Sequence, residues 1–508
     1  GYGRMVDWDH ILESAEQMQE TSLCGIGLTT PAAMIGAIRF FLRRLMADPR
    51  DISGDIYTTV TAKCIEACPS HVNIPRYINY VRDGHSDLAM GVLLQHYPLV
   101  ATCGRVCVRP CEAACRRRRV DTPVAIRDVK RYVSDNAGAS VAELFENIRP
   151  VTDETKARVA VVGAGPAGLN CAYHLLMKGY PVDIYDKDEK AGGMALRGIP
   201  PYRLPKGILQ SETDAVKHMG GTFYYGRRLG EDITISGLFD AGYGAVFLGI
   251  GCAEGAYLGL PDEDRTLKGY RNGIDFLLQC EKGVAVNNPP VFEGDVVVVG
   301  CGNVAMDCCR TAARAGAEEV SVVYRRRISD MTALPAEIES AIAEGVEMIT
   351  LQAPAAIEKD EQGRCCALLT NPQMIGPVKR GRPAPVAADK PQMRIPADII
   401  LIAVGQNIVS APFEEFGMAA EWGEFKADEQ LHAQMDAEAL AARGADASAG
   451  ANVFVGGDCQ TGPASAIKAI AAGKVAARNI DHMLGFNHTL DCGVAVPPAQ
   501  PNDRAAYG

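Results

Sequence analysis

The feature that most constrains this chain is a short apolar run followed by three regularly spaced glycines. Residues 159–162 are all valine or alanine, and Gly163, Gly165 and Gly168 follow with the spacing G-x-G-x-x-G. This order predicts a buried strand, a tight turn and a helix whose N-terminus faces a dinucleotide pyrophosphate. The next predicted strand ends in Asp186, the residue type that binds an unphosphorylated adenosine ribose. A glycine-rich turn without a ligand is the competing explanation, and the strand, helix and acid together disfavour it.

A second unit of the same kind lies further along the chain. Its apolar strand leads into Gly300 and Gly302, with Ala305 in place of the third glycine. The strand that follows ends in Arg325 and Arg326 instead of an acid. Guanidinium groups bind a ribose 2′-phosphate, whereas an acid binds the free 2′-hydroxyl. The two units are therefore predicted to hold different nucleotides, FAD in the first and NADP(H) in the second. The alternative is that this arginine run is only surface charge.

Six of the seventeen cysteines lie within residues 64–115. In a reducing compartment, clustered cysteines indicate metal binding or redox chemistry rather than disulfide bonds. Pro110 interrupts the regular spacing of four, so a loop folded around a cluster fits better than one helix face. A Cys-Pro pair that ends a cysteine run is typical of iron–sulfur sites, and zinc is the alternative. The candidate ligands are Cys64, Cys68, Cys103, Cys107, Cys111 and Cys115.

Composition and charge narrow the class of protein. At 508 residues the chain is too long for one core, and its net charge of −11 argues against nucleic acid as a partner. No apolar run is long enough to cross a bilayer and no signal peptide is evident, so we expect a cytoplasmic protein that does not span a membrane. No C-x-x-C pair occurs, which argues against a disulfide reductase. Because the first methionine is Met5, we do not expect residue 1 to be the natural start.

Residues 60–485 resemble the glutamate synthase small-subunit family. The resemblance rests on the cysteine stretch, on Arg131 and Tyr132 beyond it, and on the run Gly-Ile-Pro-Pro-Tyr-Arg-Leu-Pro-Lys at residues 198–206. It implies an α-helical iron–sulfur domain followed by two Rossmann-like dinucleotide-binding domains of the α/β class. In such proteins the NADP domain is inserted in the FAD domain, and residues 399–405 are expected to return the chain to the FAD domain.

The same resemblance implies at least one [4Fe–4S] cluster. The family normally holds two, but its leading C-x-x-C pair is missing here, and Lys130 aligns with the glutamine or glutamate that completes one cluster. Residues 116–119, all arginine, are most simply a solvated face; the alternative is that they offset the cluster's negative charge or dock an acidic partner. By position, the best ligands are Cys68, Cys107 and Cys111, and the fourth would be Cys64, Cys103 or Cys115.

Further nucleotide contacts follow from the resemblance. In this family a Gly-Asp pair contacts the FAD ribityl chain and pyrophosphate, and the next helix N-terminus faces the flavin ring, where its positive end stabilises a reduced, anionic flavin. The predicted nucleotide-binding residues are Gly163, Gly165, Pro166, Ala167, Gly168, Asp186, Gly193, Arg203, Gly300, Gly302, Asn303, Val304, Arg325, Arg326, Gly405, Gly457, Asp458, Pro463 and Ala464.

The amino-terminal segment carries a separate resemblance. Residues 21–31 and 38–41 are similar to the C-terminal end of NADH-binding flavoprotein subunits of respiratory complex I and related soluble hydrogenases. In that family the cysteine at the position of Cys24 is the fourth ligand of a [4Fe–4S] cluster. Considered by its residue type alone, Cys24 would be a small buried side chain instead.

These observations lead to one main hypothesis. Nicotinamide exchanges two electrons as a hydride and a [4Fe–4S] cluster exchanges one, and FAD can couple the two. We therefore expect an electron-transfer subunit of an NADPH-dependent complex whose partner is an iron–sulfur or catalytic subunit. The alternatives are the glutamate synthase small subunit itself and a non-catalytic scaffold. The expected segments are 1–50 (complex I-like), 51–150 (iron–sulfur), 151–265 (first FAD segment), 266–395 (NADP(H)), 396–488 (second FAD segment) and 489–508 (tail).

Overall fold

The computed structural model describes residues 8–22, 25–39, 62–137, 152–285, 288, 290–379, 381–414, 416–421, 424–436, 438, 452–486 and 488. Cys24 and the tail after residue 488 lie outside the described residues. The chain divides into two compact units between residues 62 and 63. In the first unit, α1 (Trp8–Thr21) packs against α2 (Gly25–Ala37). Among the described residues, no helix combines the length and the apolar character that a membrane crossing requires.

The second unit begins with a helical region around a core of large side chains. Tyr77, Leu93 and Tyr97 are all fully buried there. The helix Ile74–Arg82 has Asn73 as its N-cap residue, whose side chain accepts a hydrogen bond from the backbone N–H of Arg76. The elements are α3 (Lys63–Glu66), α4 (Ile74–Arg82), α5 (Ser86–Leu94), α6 (Val100–Val106), α7 (Pro110–Ala113), a 3-10 turn (Arg116–Arg119) and α8 (Ile126–Asn136).

A five-stranded parallel sheet follows. Its strands are β1 (Val159–Val162), β2 (Val182–Tyr185), β3 (Thr222–Tyr224), β4 (Ala245–Leu248) and, far along the chain, β18 (Val453–Val455). They lie in the order β18-β4-β1-β2-β3. Every residue of β1 is buried, as expected for a strand covered by helices on both faces. The helices are α9 (Pro166–Met177), α10 (Met194–Arg197), α11 (Lys206–His218), α12 (Ile235–Asp240), α17 (Asp458–Thr461) and α18 (Ala466–Met483).

A second five-stranded parallel sheet is formed by the chain between β4 and β18. Its strands are β6 (Tyr270–Asn272), β7 (Val296–Gly300), β8 (Val320–Tyr324), β9 (Glu347–Thr350) and β14 (Ile399–Ala403), in the order β6-β14-β7-β8-β9. Its helices are α13 (Gly273–Ala285), α14 (Asn303–Arg314), a 3-10 turn (Ile328–Asp330) and α15 (Pro335–Ala343).

Antiparallel strands are attached to this second sheet region. The strands β10 (Gln352–Lys359), β11 (Cys365–Lys379), β12 (Arg382–Ala387) and β13 (Met393–Pro396) form one sheet, in which β11 pairs with the other three. Two short strands, β5 (Glu254–Gly255) and β15 (Gln406–Asn407), pair where the chain enters and leaves the second sheet. The remaining elements are α16 (Ala411–Glu414), β16 (Ala420–Glu421) and β17 (Glu424–Phe425).

The prediction that residues 399–405 return the chain to the first sheet is wrong for the strand itself. β14 pairs in parallel with β6 and β7 and so belongs to the second sheet. The chain rejoins the first sheet only at β18, which pairs with β4. An apolar strand fits the interior of either parallel sheet, so the sequence of β14 does not indicate which sheet contains it.

Candidate functional site

The first glycine turn is shaped by two different requirements. Gly163 has a φ of +104°, and a Cβ there would lie 2.4 Å from the carbonyl oxygen of Gly249. A Cβ on Gly168 would lie 1.8 Å from the carbonyl oxygen of Gly163, so α9 packs directly on the turn. A Cβ on Gly165 would meet nothing closer than the Cα of Gly193, at 3.9 Å. Gly163 and Gly168 are therefore required by the fold, whereas Gly165 leaves space for a ligand.

A cavity of about 400 Å³ opens next to this turn. Asp186 lies on its wall, at the end of β2, and is almost fully buried. Its carboxylate accepts hydrogen bonds from the backbone N–H groups of Ala164, at 2.6 Å, and Asp188, at 2.8 Å. Burial raises the pKa of this carboxyl group. Asp186 thus joins the glycine turn to the strand end where a ribose is predicted to bind.

A larger cavity, of about 910 Å³, lies between the two glycine turns. Gly300, Gly302 and Asn303 contribute one wall, and the first sheet region contributes another through Pro463 and Ala464. Val106 and Val108, from the cysteine-rich helical region, also line it. This cavity therefore borders all three regions of the second unit. It shares Pro166, Met194, Asp458 and Ala469 with the smaller cavity.

The structure brings most of the predicted nucleotide-binding residues to these two cavities. Gly168 and Gly457 line neither cavity; a Cβ on Gly168 would overlap the Gly163 carbonyl oxygen, and a Cβ on Gly457 would lie 3.0 Å from the Cβ of Ala167. The predicted residues that line a cavity are Gly163, Gly165, Pro166, Ala167, Asp186, Gly193, Arg203, Gly300, Gly302, Asn303, Val304, Arg325, Arg326, Gly405, Asp458, Pro463 and Ala464.

The arginines at the end of β8 differ in what they bind. Arg325 is exposed on the cavity wall, and its side chain has no hydrogen bond or ion pair within the described part of the chain. The Nε of Arg326 donates to the carbonyl of Pro383 at 2.6 Å. Arg327 points elsewhere, into an ion pair with Asp330 at 2.9 Å. Two of the three arginines therefore face the cavity.

A third arginine reaches this wall from the antiparallel sheet. Arg382, at the start of β12, donates to the hydroxyl of Tyr324 at 2.9 Å and to the carbonyl of Asp330 at 2.7 Å. It lines the same cavity as Arg325 and Arg326. Arg382 was not among the predicted residues because it lies more than fifty residues from Tyr324 and Asp330 in the sequence. Its contacts with these two residues place it at the end of β8.

Arg203 was predicted to contact FAD, and its donors are already engaged. The guanidinium group donates to Asp307 at 2.7 Å and lies 3.3 Å from Glu337, both in the second sheet region. Burial alone would lower the pKa of Arg203, but Asp307 raises it overall. Burial raises the pKa of Asp307 to about 6. Arg203 therefore forms a buried ion pair across the two sheet regions, at the wall of the larger cavity, and a contact with FAD stays a prediction.

Two further side chains hold the loops around the cavities. The ammonium group of Lys206 donates to the carbonyls of Leu196, at 2.5 Å, and Ile199, at 2.6 Å, and burial lowers its pKa to about 8. The carboxylate of Asp458 accepts from the backbone N–H of Ala464 at 3.2 Å, and burial raises its pKa to about 6. Asp458 thereby positions the loop that leads into the N-terminus of α18.

The cysteines of the helical region lie close together. Cys68, Cys103, Cys107 and Cys111 are buried in one core, while Cys64 and Cys115 are partly exposed. Burial raises the pKa of the Cys111 thiol to about 12, although the nearby Lys130 acts in the opposite direction. The described residues contain no set of three His, Cys, Asp or Glu side chains arranged around a single metal ion. Thiolates of a [4Fe–4S] cluster each bind a different iron, so they are not required to converge on one point.

Two other buried groups next to these thiols fit an iron–sulfur cluster. Tyr97 is fully buried, and its hydroxyl has no hydrogen-bond partner among the described residues. The ammonium of Lys130, also buried, lies 5.6 Å from the centre of the Tyr97 ring. Burial alone would lower the pKa of Lys130, but the adjacent Cys107 and Cys103 raise it overall. A free donor and a cation beside the thiols suit an anionic cluster, and a charged ammonium cannot itself bind iron.

One carboxylate links the helical region to the first sheet region. Glu212, in α11, is fully buried and accepts hydrogen bonds at the N-terminus of α6 from the backbone N–H groups of Ala101 and Thr102. The Thr102 hydroxyl also donates to it, at 2.6 Å. Burial raises the pKa of Glu212 to about 7. This contact holds the helix that carries Cys103, and it was not anticipated from the sequence because the residues lie 110 or more positions apart.

Family comparisons agree with this architecture. Residues 157–473 match the family described as pyridine nucleotide-disulphide oxidoreductase. Residues 57–141 match the 4Fe–4S cluster domain described as domain II of dihydropyrimidine dehydrogenase. The solved structure of Mycobacterium tuberculosis FprA in complex with NADPH covers 64% of this chain and 85% of its own, with a TM-score of 0.51 and 17% identity. At that identity the likeness shows the fold alone.

Named relatives are similar over most of the chain. The NADP(+)-dependent formate dehydrogenase subunit beta of Moorella thermoacetica is 37% identical over 84% of this chain, and the NADPH-Fe(3+) oxidoreductase subunit beta of Geobacter sulfurreducens is 37% identical over 68%. The chain spans only 60% and 51% of the length of these two relatives. The glutamate synthase [NADPH] small chain of Halomonas elongata is 32% identical over 82% of this chain and 87% of its own length.

These matches confirm the predicted fold class, the resemblance to glutamate synthase small subunits, and the expectation of FAD, NADP(H) and a [4Fe–4S] cluster as cofactors. The chain belongs to the pyridine nucleotide-disulphide oxidoreductase family and carries a 4Fe–4S domain ahead of its two dinucleotide-binding domains.

Proposed function

We propose that this chain passes electrons between NADPH and a partner subunit by way of FAD and an iron–sulfur cluster. The observation that carries the proposal is the larger cavity, whose walls come from both glycine turns and from the cysteine-rich region. A protein that couples hydride transfer to single-electron transfer needs these three components next to one another. The absence of a C-x-x-C pair disfavours the disulfide chemistry that the family name includes.

In this proposal FAD occupies the smaller cavity with its adenosine end and the larger cavity with its ring. Gly163, Gly165 and the N-terminus of α9 bind the pyrophosphate, and Asp186 binds the ribose. Asp458 and the N-terminus of α18 face the ribityl chain and the ring. Bound FAD supplies the chemistry, since it exchanges a hydride with nicotinamide and single electrons with a cluster. The chain itself contributes binding, orientation and exclusion of water.

NADPH binds the opposite wall of the larger cavity. Gly300, Gly302 and the N-terminus of α14 bind its pyrophosphate, and Arg325 and Arg326 bind the 2′-phosphate. Asn303 supports this wall, because its side chain accepts a hydrogen bond from the backbone N–H of Leu334 at 3.0 Å. The ion pair of Arg203 with Asp307 keeps the two nucleotide-binding regions together at this point.

The cluster is bound by Cys68, Cys107 and Cys111, with a fourth thiolate from Cys103, Cys64 or Cys115. Val106 and Val108, the two chain neighbours of Cys107, line the larger cavity, so this predicted ligand would lie next to the nucleotide site. The partner in the complex is an iron–sulfur or catalytic subunit. That a partner exists is supported by two relatives whose names describe them as beta subunits, one of a formate dehydrogenase and one of an Fe(3+) oxidoreductase.

A second candidate is a glutamate synthase small chain. It is supported by the similarity to the glutamate synthase [NADPH] small chain of Halomonas elongata, which extends over 82% of this chain at 32% identity. The partner distinguishes the two candidates. Co-purification of a glutamine-hydrolysing large subunit with the natural protein would support the second candidate, and co-purification of a metal-containing dehydrogenase or reductase subunit would support the first.

Anaerobic titration of the purified protein, loaded with FAD and iron, tests the main proposal. NADPH should bleach both the flavin absorbance and the broad iron–sulfur absorbance of the wild type. In Cys107→Ser the iron content should fall and only the flavin absorbance should bleach. Cys280→Ser, in a buried cysteine of the second sheet region, is the matched control and should behave like the wild type. A protein that binds no FAD, or ignores NADPH, would be a scaffold; unchanged iron in Cys107→Ser would refute the ligand assignment.

A further inference from the structure

Four consecutive arginines form an exposed turn directly after the last cysteine of the helical region. Arg116–Arg119 make a 3-10 turn whose N-cap residue is Cys115, and all four arginines are exposed. The next residue, Val120, is 87% exposed. We call residues 116–120 the arginine turn. Its charge is opposite in sign to the net charge of −11 on the whole chain.

The arginines of this turn are largely available to a partner. Arg117 is occupied, because its guanidinium group donates to both carboxylate oxygens of Asp121, at 2.9 and 2.8 Å. The side chains of Arg116, Arg118 and Arg119 form no hydrogen bond or ion pair with any residue that the structure describes. Three guanidinium groups in one turn present many donors suited to carboxylates.

The position of the arginine turn relates it to the thiols. Val106 and Val108 line the larger cavity, and Cys107 lies between them. Cys107 is buried, whereas Cys115 is partly exposed. The segment of residues 106–120 therefore runs from the nucleotide cavity, past the predicted cluster ligands, to the arginine turn. Of the six candidate ligands only Cys64 and Cys115 are partly exposed, and Cys115 is the residue at which the arginine turn begins.

We propose that the arginine turn is the docking surface for an acidic iron–sulfur protein that exchanges single electrons with the cluster. This inference rests on the proposed function. In the direction convenient for a test, two reduced partner molecules each donate one electron, and these electrons with one proton convert NADP⁺ to NADPH. Complementary charge steers such a partner to the turn, and Val120 provides an apolar contact within it.

The test uses the full chain, loaded with FAD and iron, and an acidic bacterial ferredoxin as the probe. Reduced ferredoxin is supplied with NADP⁺, and NADPH formation is followed at different salt concentrations. The variant R116E/R118E/R119E keeps the pair of Arg117 with Asp121. The matched control, K217E/K268E/K390E, makes the same change in charge at exposed lysines of the nucleotide-binding regions. Reduction of menadione, a small neutral acceptor, by NADPH reports on the flavin independently of docking.

We expect kcat/KM for ferredoxin to fall about tenfold or more in the arginine variant, with a weaker salt dependence, while the control variant and menadione reduction stay near wild type. Equal losses in both variants, or a wild type that reduces menadione but does not oxidise ferredoxin, would overturn the docking surface. An unchanged kcat/KM for ferredoxin in the arginine variant would also overturn the docking surface. Binding of the wild-type protein to anionic lipid vesicles in that case would show that the arginine turn contacts a membrane instead. A wild type inactive with menadione would instead refute the proposed function. If the arginine variant loses its iron, R116Q/R118Q/R119Q replaces it under the same criteria.

Discussion

At the scale of single residues, the side chains around the predicted 2′-phosphate site are not equivalent. Arg325 is exposed and free within the described chain, Arg326 is held by a backbone carbonyl, and Arg327 is paired with Asp330. Arg382 approaches from the antiparallel sheet and supports Tyr324. A phosphate at this wall would therefore meet Arg325 without first breaking another contact of that side chain.

We predict that R325A/R326A weakens NADPH binding about a hundredfold or more and NADH binding by less than about threefold. Each lost charge-assisted hydrogen bond costs roughly 1.5–3 kcal/mol, and NADH has no 2′-phosphate with which to form it. Dissociation constants from fluorescence titration measure both. Arg327→Ala is the control and should leave NADPH binding unchanged. If NADPH and NADH weaken equally, the arginines do not recognise the phosphate.

At the scale of elements, the strand, turn and helix of the first unit combine packing and ligand binding in one short segment. Gly168, the third glycine of the motif, packs against the turn itself, whereas Gly165, the second glycine, faces the smaller cavity. The two substitutions to alanine should therefore have different consequences, although they lie only three residues apart.

We predict that Gly168→Ala destabilises the protein by several kcal/mol, of order 3 or more, because the added methyl would overlap the Gly163 carbonyl. Gly165→Ala should leave the free energy of unfolding of the FAD-free protein within about 1 kcal/mol of wild type but reduce FAD binding at least tenfold. Denaturant titration and flavin content after purification separate the two effects. Normal FAD content in Gly165→Ala would contradict the assignment of this turn to the pyrophosphate.

At the scale of the whole molecule, buried ionisable groups join the regions of the second unit. Glu212 joins the first sheet region to the helix that carries Cys103, and Arg203 with Asp307 joins the two sheet regions. Such groups are expensive to bury unless they are paired or neutralised, so they make domain contacts sensitive to pH.

We predict that the contact of Glu212 weakens as the pH rises from about 4.5 to 7. The pKa of Glu212 is raised to about 7 in the folded protein from 4.5, so the folded state binds the proton more tightly than the unfolded state. Its contribution is thus complete below pH 4.5 and is lost as the pH rises to 7, with a slope of at most about 1.4 kcal/mol per pH unit.

Thermal midpoints measured between pH 5 and 8 check this prediction. Glu212→Gln, which cannot titrate, should remove this contribution to the pH dependence. It should itself lower stability by about 1–3 kcal/mol, because both carboxyl oxygens of Glu212 accept hydrogen bonds and the NH2 group that replaces one of them cannot. The exposed Glu339→Gln is the control. A pH profile of Glu212→Gln parallel to that of the wild type would show that Glu212 keeps its charge throughout.

The two dinucleotide-binding units can be predicted from the sequence alone, because the requirement for glycine is local. Gly163 needs its positive φ, and Gly168 needs contact with the turn, within six residues of one another. The acid after β2 and the arginines after β8 likewise follow from strand ends that the pattern of apolar residues marks. The clustered cysteines predicted the iron–sulfur domain for a similar reason, since ligands close in sequence need little of the remaining fold to bring them together.

Which distant segments of the chain contact one another becomes clear only from the three-dimensional fold. β14 joins the second sheet although its apolar sequence fits either sheet, and β18 completes the first sheet from more than two hundred residues beyond β4. Arg382 and Glu212 likewise contact partners that lie more than fifty and more than one hundred residues away in the chain. Their surroundings depend on contacts between residues far apart in the chain. The energies of such contacts cannot be inferred from a short stretch of sequence, so Arg382 and Glu212 were not among the predicted site residues.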